Sequence, residues 1–171
     1  LSSVLEINMK DGNMREYHGD GNISIIASKL TVEGPIVKDK ASFMLSARRT
    51  YLDLLLNPII RSATSNDPGF STNPAYYFYD LNGKLNWRVG PKDRLYLSAF
   101  SGMDDFGVTS SNQDSDPNRT IREDLSFGLD WQNQIQALRW NHEVGPRMFS
   151  NVSLTHSVYN FNTGVDLSTE I

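Results

Sequence analysis

Tyr79-Asp80-Leu81-Asn82-Gly83-Lys84-Leu85-Asn86-Trp87-Arg88-Val89 is the stretch that decides the fold. Its odd positions are apolar or aromatic, apart from the neutral Gly83, and its even positions are Asp80, Asn82, Lys84, Asn86 and Arg88. Side chains alternate between the two faces of a β-strand, so this run is a strand with one apolar and one strongly polar face. A helix would scatter the same residues around its circumference.

The pattern extends in both directions. Phe43, Leu45 and Ala47 alternate with Ser42, Ser46 and Arg48, with Met44 as the exception. Leu30 and Val32 alternate with Lys29, Thr31 and Glu33, and Leu95, Leu97 and Ala99 alternate with Tyr96 and Ser98. Phe127, Leu129, Trp131 and Ile135 stand opposite Gly128, Asp130, Gln132 and Gln134, after which the parity slips to Leu138 and Trp140. A bulge near Gln136 or Ala137 is expected to absorb that slip. Val152 and Leu154 open a further strand. The expectation is about six strands, or about seven if residues 13–20 pair separately from 22–33.

Connections fall into two classes. Gly34-Pro35 with Val37-Lys38-Asp39-Lys40, Gly90-Pro91-Lys92-Asp93 and Gly145-Pro146-Arg147 read as short turns. Between them, residues of about 57–75 and 108–123 are rich in Ser, Asn, Asp and Pro and read as long loops. In an antiparallel meander successive connections lie at opposite ends of the sheet, so one end is trimmed and the other decorated. Outer-membrane barrels have this asymmetry. Trp87, Trp140 and Phe149 adjoin short turns, while Tyr51, Tyr76-Tyr77-Phe78-Tyr79 and Phe106 lie toward the other end, as two interfacial aromatic girdles would.

The chain has 171 residues, a net charge of -4 and no cysteine. The isoelectric point of about 5.3 and the scattered charges give no nucleic-acid footprint, and the missing cysteines remove disulfides, thiolate nucleophiles and thiolate metal sites. No apolar run is long enough for a membrane helix. A mean hydropathy of -0.42 is compatible with barrel strands, which need only about 9–11 residues each with alternate positions apolar. The opening Leu1-Ser2-Ser3-Val4 is not a signal peptide. Six or seven strands fall short of the roughly eight of the smallest single-chain barrels, so further strands are expected to complete the structure.

Several stretches resemble the TonB-dependent receptors of Gram-negative outer membranes. Leu1-Ser2-Ser3-Val4-Leu5-Glu6-Ile7-Asn8-Met9-Lys10-Asp11-Gly12 looks like the last strand of their plug. The segment from Gly21 to Ile36, including Lys29-Leu30-Thr31-Val32-Glu33-Gly34-Pro35, resembles their first barrel strand and its turn. Ser42-Phe43 through Arg48-Arg49-Thr50-Tyr51-Leu52-Asp53, Tyr77-Phe78-Tyr79-Asp80-Leu81-Asn82 and Arg139-Trp140-Asn141-His142 are similar to later elements. The resemblance implies an all-β, antiparallel up-and-down transmembrane β-barrel. Residues 1–12 would be the end of the plug and 13–171 the N-terminal part of a barrel of about 22 strands. It implies uptake of a scarce nutrient such as an iron chelate, cobalamin or glycan. The implied partners are the TonB complex, reached through parts of the receptor outside these residues, outer-membrane lipid, a surface lipoprotein, and a small-molecule or glycan ligand.

Within that frame the even face of the deciding strand, with Asp130 and Gln132, is expected to form a lumen-facing wall of Asp80, Asn82, Lys84, Asn86, Arg88, Asp130 and Gln132. Arg48, Arg49, Tyr76 and Tyr77 are candidate ligand contacts. Arg48-Arg49 reads either as an anion or lipopolysaccharide contact or as ordinary wall charges paired with carboxylates. Asp104-Asp105 and Asp114-Ser115-Asp116 offer oxygen ligands for calcium but lack EF-hand spacing, so a solvated loop is the plainer reading. His142-Glu143 lacks a second histidine at zinc spacing. No nucleophile elbow, phosphate loop or dinucleotide turn occurs, so neither an enzyme nor a cofactor is expected. The competing assignment is a soluble β-sandwich binding module, carbohydrate-binding through a stacking platform at Tyr76–Tyr79.

Overall fold

The computed structural model describes residues 9–64, 70–116 and 119–170. The segment 1–8, where the plug strand was expected to begin, lies outside the described residues. Seven strands follow in sequence order: β1 (His18–Ile23), β2 (Ala27–Val37), β3 (Ala41–Thr50), β4 (Phe70–Arg88), β5 (Asp93–Asp116), β6 (Arg119–Gly145) and β7 (Met148–Glu170). They form one antiparallel sheet in the order β1-β2-β3-β4-β5-β6-β7, every strand pairing with its sequence neighbour. The sheet is an up-and-down meander that does not close, and among the described residues no second sheet packs on it. Two strands are present here, but they divide at 24–26 and not between 20 and 22, so Asn22 and Ile23 belong to β1: Ser24 folds the chain back, its N–H and its hydroxyl both donating to the Ala27 carbonyl, at 2.8 and 2.9 Å.

The short turns stand where Gly, Pro and charge were clustered. Gly34-Pro35 itself, however, belongs to β2, and the reversal comes at Lys38-Asp39-Lys40, where Asp39 takes φ 59°. A register shift between Pro35 and Val37 lets the strand carry a proline, which cannot donate a ladder hydrogen bond.

The decorated end departs from expectation. The stretch read as a loop from about 57 to 75 begins inside a helix, α1 (Leu52–Thr64), that packs against β4, and β4 has already begun at Phe70. The other expected loop, 108–123, is a paired hairpin: β5 runs to Asp116 and β6 starts at Arg119, with Ser110 opposite Leu125 and Asn112 opposite Glu123. Composition marked this region as loop because Ser, Asn and Asp favour turns. Those side chains instead bond across strands, as where the Thr72 and Ser110 hydroxyls meet at 3.2 Å. β5 and β6 thus reach 24 and 27 residues, about twice what a bilayer crossing requires.

Register also removes an expected irregularity. Pairing of β6 is continuous on both sides through Ile135, Gln136, Ala137 and Leu138, so no bulge absorbs the parity slip. The sheet itself changes polarity instead. Toward the short turns its apolar face carries Leu45, Leu81, Leu85, Leu97, Leu138 and Leu154. Toward the long-hairpin end apolar residues (Tyr76, Phe106, Phe127 and Leu129) occupy the opposite face.

Residues 9–17 form no strand and cross the polar face of β2–β5 before β1 begins. Gly12 passes so close that a Cβ there would stand 2.0 Å from the Phe43 carbonyl oxygen, which excludes any side chain. The segment then wraps the β2–β3 turn, where Asp39 N–H donates to Met14 O at 3.0 Å and the Tyr17 hydroxyl donates to Pro35 O at 2.9 Å.

Candidate functional site

Two surfaces carry chemistry, one on each face of the sheet near the short turns. On the first, Leu30, Leu45, Leu81, Leu85, Leu97, Leu138 and Leu154 are exposed by amounts from 41 to 71% and adjoin one another across β2–β7. An uncovered apolar row over six strands marks a surface that meets an apolar partner or phase. Trp87 and Trp140 border this band at the short-turn end, and Tyr77 and Tyr79 border it at the other. Between Tyr77 and Trp87 the strand rises about 34 Å.

Just beyond the lower border, in the turn, Asp93 Oδ1 accepts from Trp140 Nε1 at 2.9 Å and meets His142 Nδ1 at 2.8 Å. The His142 hydrogen bond, then that of Trp140, holds the Asp93 carboxyl below its ordinary value. An acid with a lowered folded-state value stabilises above its unfolded value, near 3.8, and that contribution vanishes as pH falls through the lower folded value. Asp93→Asn is therefore expected to lower the thermal midpoint of the full-length protein at neutral pH. The gap to wild type should close in acid below the usual carboxylate range, as a pH series of melting curves would record.

The second surface is the polar face. Asp80, Asn82, Lys84, Asn86 and Arg88 share it, as their spacing requires. Residues 9–13 lie over its short-turn half. Asp11 bridges Lys84 Nζ at 2.6 Å and Arg94 at 3.5 Å, Lys84 Nζ also donates to Met9 O at 2.6 Å, and Lys10 pairs with Glu33 at 2.7 Å. Beneath them Ser42 and Asn86 are buried to 0 and 1% exposure. Tyr96, also buried, has three cations about its ring: Arg139 at 4.3 Å, Arg94 at 5.1 Å and Lys84 at 5.6 Å.

Asp130 and Gln132 do not join this wall. Asp130 pairs with Asp105, itself opposite Tyr77, and Gln132 pairs with Met103, opposite Tyr79, so both fall on the face of Leu81 and Leu85. They looked equivalent to Asp80 because each alternates with apolar neighbours, but alternation within a strand does not say which face of the sheet its polar set takes. Asp130 accepts from Asn162 Nδ2 at 2.9 Å.

The arginine pair also divides. Arg48 lies on the polar face, donating from Nε to Asp80 at 2.7 Å and standing 4.9 Å over the Phe78 ring. Arg49 points the other way, 5.7 Å over the Tyr77 ring, and has no carboxylate partner among the described residues. Tyr76 parts from Tyr77 in the same manner and joins a chain of edge-on rings, with Phe106 at 6.2 Å and Phe106 on Phe127 at 6.1 Å. Asp104 and Asp105 face opposite sides, and among the described residues no three His, Asp or Glu side chains converge on one point.

The sequence reading missed Asp11, Arg94, Tyr96 and Arg139. Each was visible as a polar position, but Arg139 meets Tyr96 only through the β5–β6 register, which rested on the misread hairpin, and Asp11 reaches Arg94 only because residues 9–17 cross the face. No family matches the chain, and neither does any curated protein or solved structure.

Proposed function

We propose that the chain is part of a TonB-dependent outer-membrane receptor that takes up a scarce nutrient. The exposed apolar band carries this reading. A meander whose one face carries an exposed leucine row, edged on β4 by Trp and Tyr about 25 Å apart once the strand is tilted as barrel strands are, and whose other face is charged, suits a wall with lipid outside and a polar lumen within. β7 leaves a free edge of 23 residues. In hydrocarbon each unpaired backbone group costs several kcal/mol, so the receptor needs further strands to close the sheet. Residues 9–17, ion-paired to the polar face ahead of β1, suit the passage from a plug into the barrel wall.

In this receptor Asp80, Asn82, Lys84, Asn86 and Arg88 face the lumen. Tyr76, Phe78 and Phe106, on the same face toward the long-hairpin end, form the first surface a small-molecule or glycan ligand meets, with Arg48 beside them. The test is membrane fractionation of the full-length protein with gel mobility before and after boiling. Recovery in the outer membrane with a boiling-dependent shift is the expected result; a protein that stays in the aqueous fraction and migrates identically sinks the proposal.

A further inference from the structure

Arg49 is a cation on the leucine face of the sheet. Its register partners are Ser28 on β2 and Tyr79 on β4, the row next to that of Leu30, Ala47 and Leu81 on the same face. Its guanidinium stands 5.7 Å over the Tyr77 ring. Arg48 is neutralised on the other face by Asp80, but Arg49 is exposed and meets no carboxylate among the described residues. A charge beside an apolar surface is costly in lipid unless it finds an opposite charge or reaches the polar heads. A groove of about 870 Å³ opens beside it. Arg49, Tyr77 and Tyr79 line its polar end, and Leu30, Ala47 and Leu81 line the apolar remainder. Gly21 and Ser28 contribute little side chain, which leaves the hollow open between the larger residues. No aspartate or glutamate lines it.

We propose that this groove binds an anionic lipid of the outer leaflet, with its phosphate on Arg49 and one acyl chain over Leu30, Ala47 and Leu81. A guanidinium fork matches a phosphate, and tyrosines at the edge of an apolar band sit at headgroup level. A free inorganic anion would use Arg49 and leave the leucines uncovered. A neutral hydrocarbon would cover the leucines and leave Arg49 unpaired. One molecule with an anionic head and an apolar tail satisfies both ends of the groove. The inference rests on the receptor reading, which turns this face to lipid and the long-hairpin end outward.

The test is native mass spectrometry of the full-length protein, released from detergent micelles supplied with equal amounts of phosphatidylglycerol and phosphatidylcholine. Wild type is expected to retain the anionic lipid about fivefold over the neutral one. Arg49→Gln should bring the ratio near one, whereas Arg147→Gln, in the turn between β6 and β7 at the other end of the sheet, should leave it unchanged. Excess inorganic phosphate should not displace the lipid. The inference is overturned if wild type retains both lipids equally, if Arg49→Gln keeps the preference, if Arg147→Gln loses it as fully, or if inorganic phosphate competes. A protein that stays in solution without detergent fails the receptor reading, and the inference falls with it. A protein that requires detergent but shows no preference fails the inference alone.

Discussion

Leu81→Arg is expected to destabilise the full-length protein in lipid vesicles by about 2–4 kcal/mol. Leu81 is 51% exposed and sits mid-band, between Ala47 and Ser101 in the register. The magnitude is what an arginine costs on the lipid face near the bilayer midplane, where its charge loses water and gains no partner. If the same face met water, a surface substitution would change stability by no more than about 0.5 kcal/mol and would improve solubility. The two environments therefore predict different results for one variant. Thr109→Arg, on the same face but level with Asn73 and Ser126 beyond the Tyr77 border, is the matched control, with an expected cost of about 0–1 kcal/mol. Urea unfolding in vesicles measures both, and equal costs for the two variants would remove the lipid-facing assignment.

Asp11→Asn should loosen the segment that crosses the polar face. Lys84 keeps only 10% of its side chain exposed, so neutralising Asp11 leaves a nearly buried ammonium with no carboxylate to balance it, held by neutral acceptors such as the Met9 carbonyl. Breaking a buried pair from one side costs about 3–5 kcal/mol. Asp11 is itself 38% exposed, and solvent screening reduces the expected loss to about 1–3 kcal/mol. The double variant Asp11→Asn with Lys84→Met should recover much of that loss, because the stranded charge goes with its partner. Denaturant unfolding of the four proteins closes the cycle. Strict additivity would mean that the pair does not couple the segment to the sheet.

Both experiments depend on how the two faces of the sheet are assembled, and only part of that was legible in the sequence. The alternation from Tyr79 to Val89 is complete enough to establish β4 and the sharing of a face by Asp80 through Arg88. The Gly-Pro clusters place the reversals to within a few residues, because missing N–H groups are tolerated at few sites in a ladder. The helix over 52–64 was hidden because Asn57-Pro58 reads as a breaker. The 108–123 hairpin was hidden because its Ser, Asn and Asp residues suit a turn as well as an exposed strand.

The sequence by itself determined that this protein is an antiparallel meander of period-two strands joined by short turns at one end. Only the tertiary structure decided which polar residues meet. It turned Arg48 and Arg49 to opposite faces with different partners, sent Asp130 and Gln132 to the face of Leu81, and drew Asp11, Arg94 and Arg139 together around Lys84 and Tyr96. The reason is register: periodicity fixes which residues of one strand share a face, whereas hydrogen-bond pairing with the next strand fixes which faces are joined, and a shift of one residue reverses every assignment.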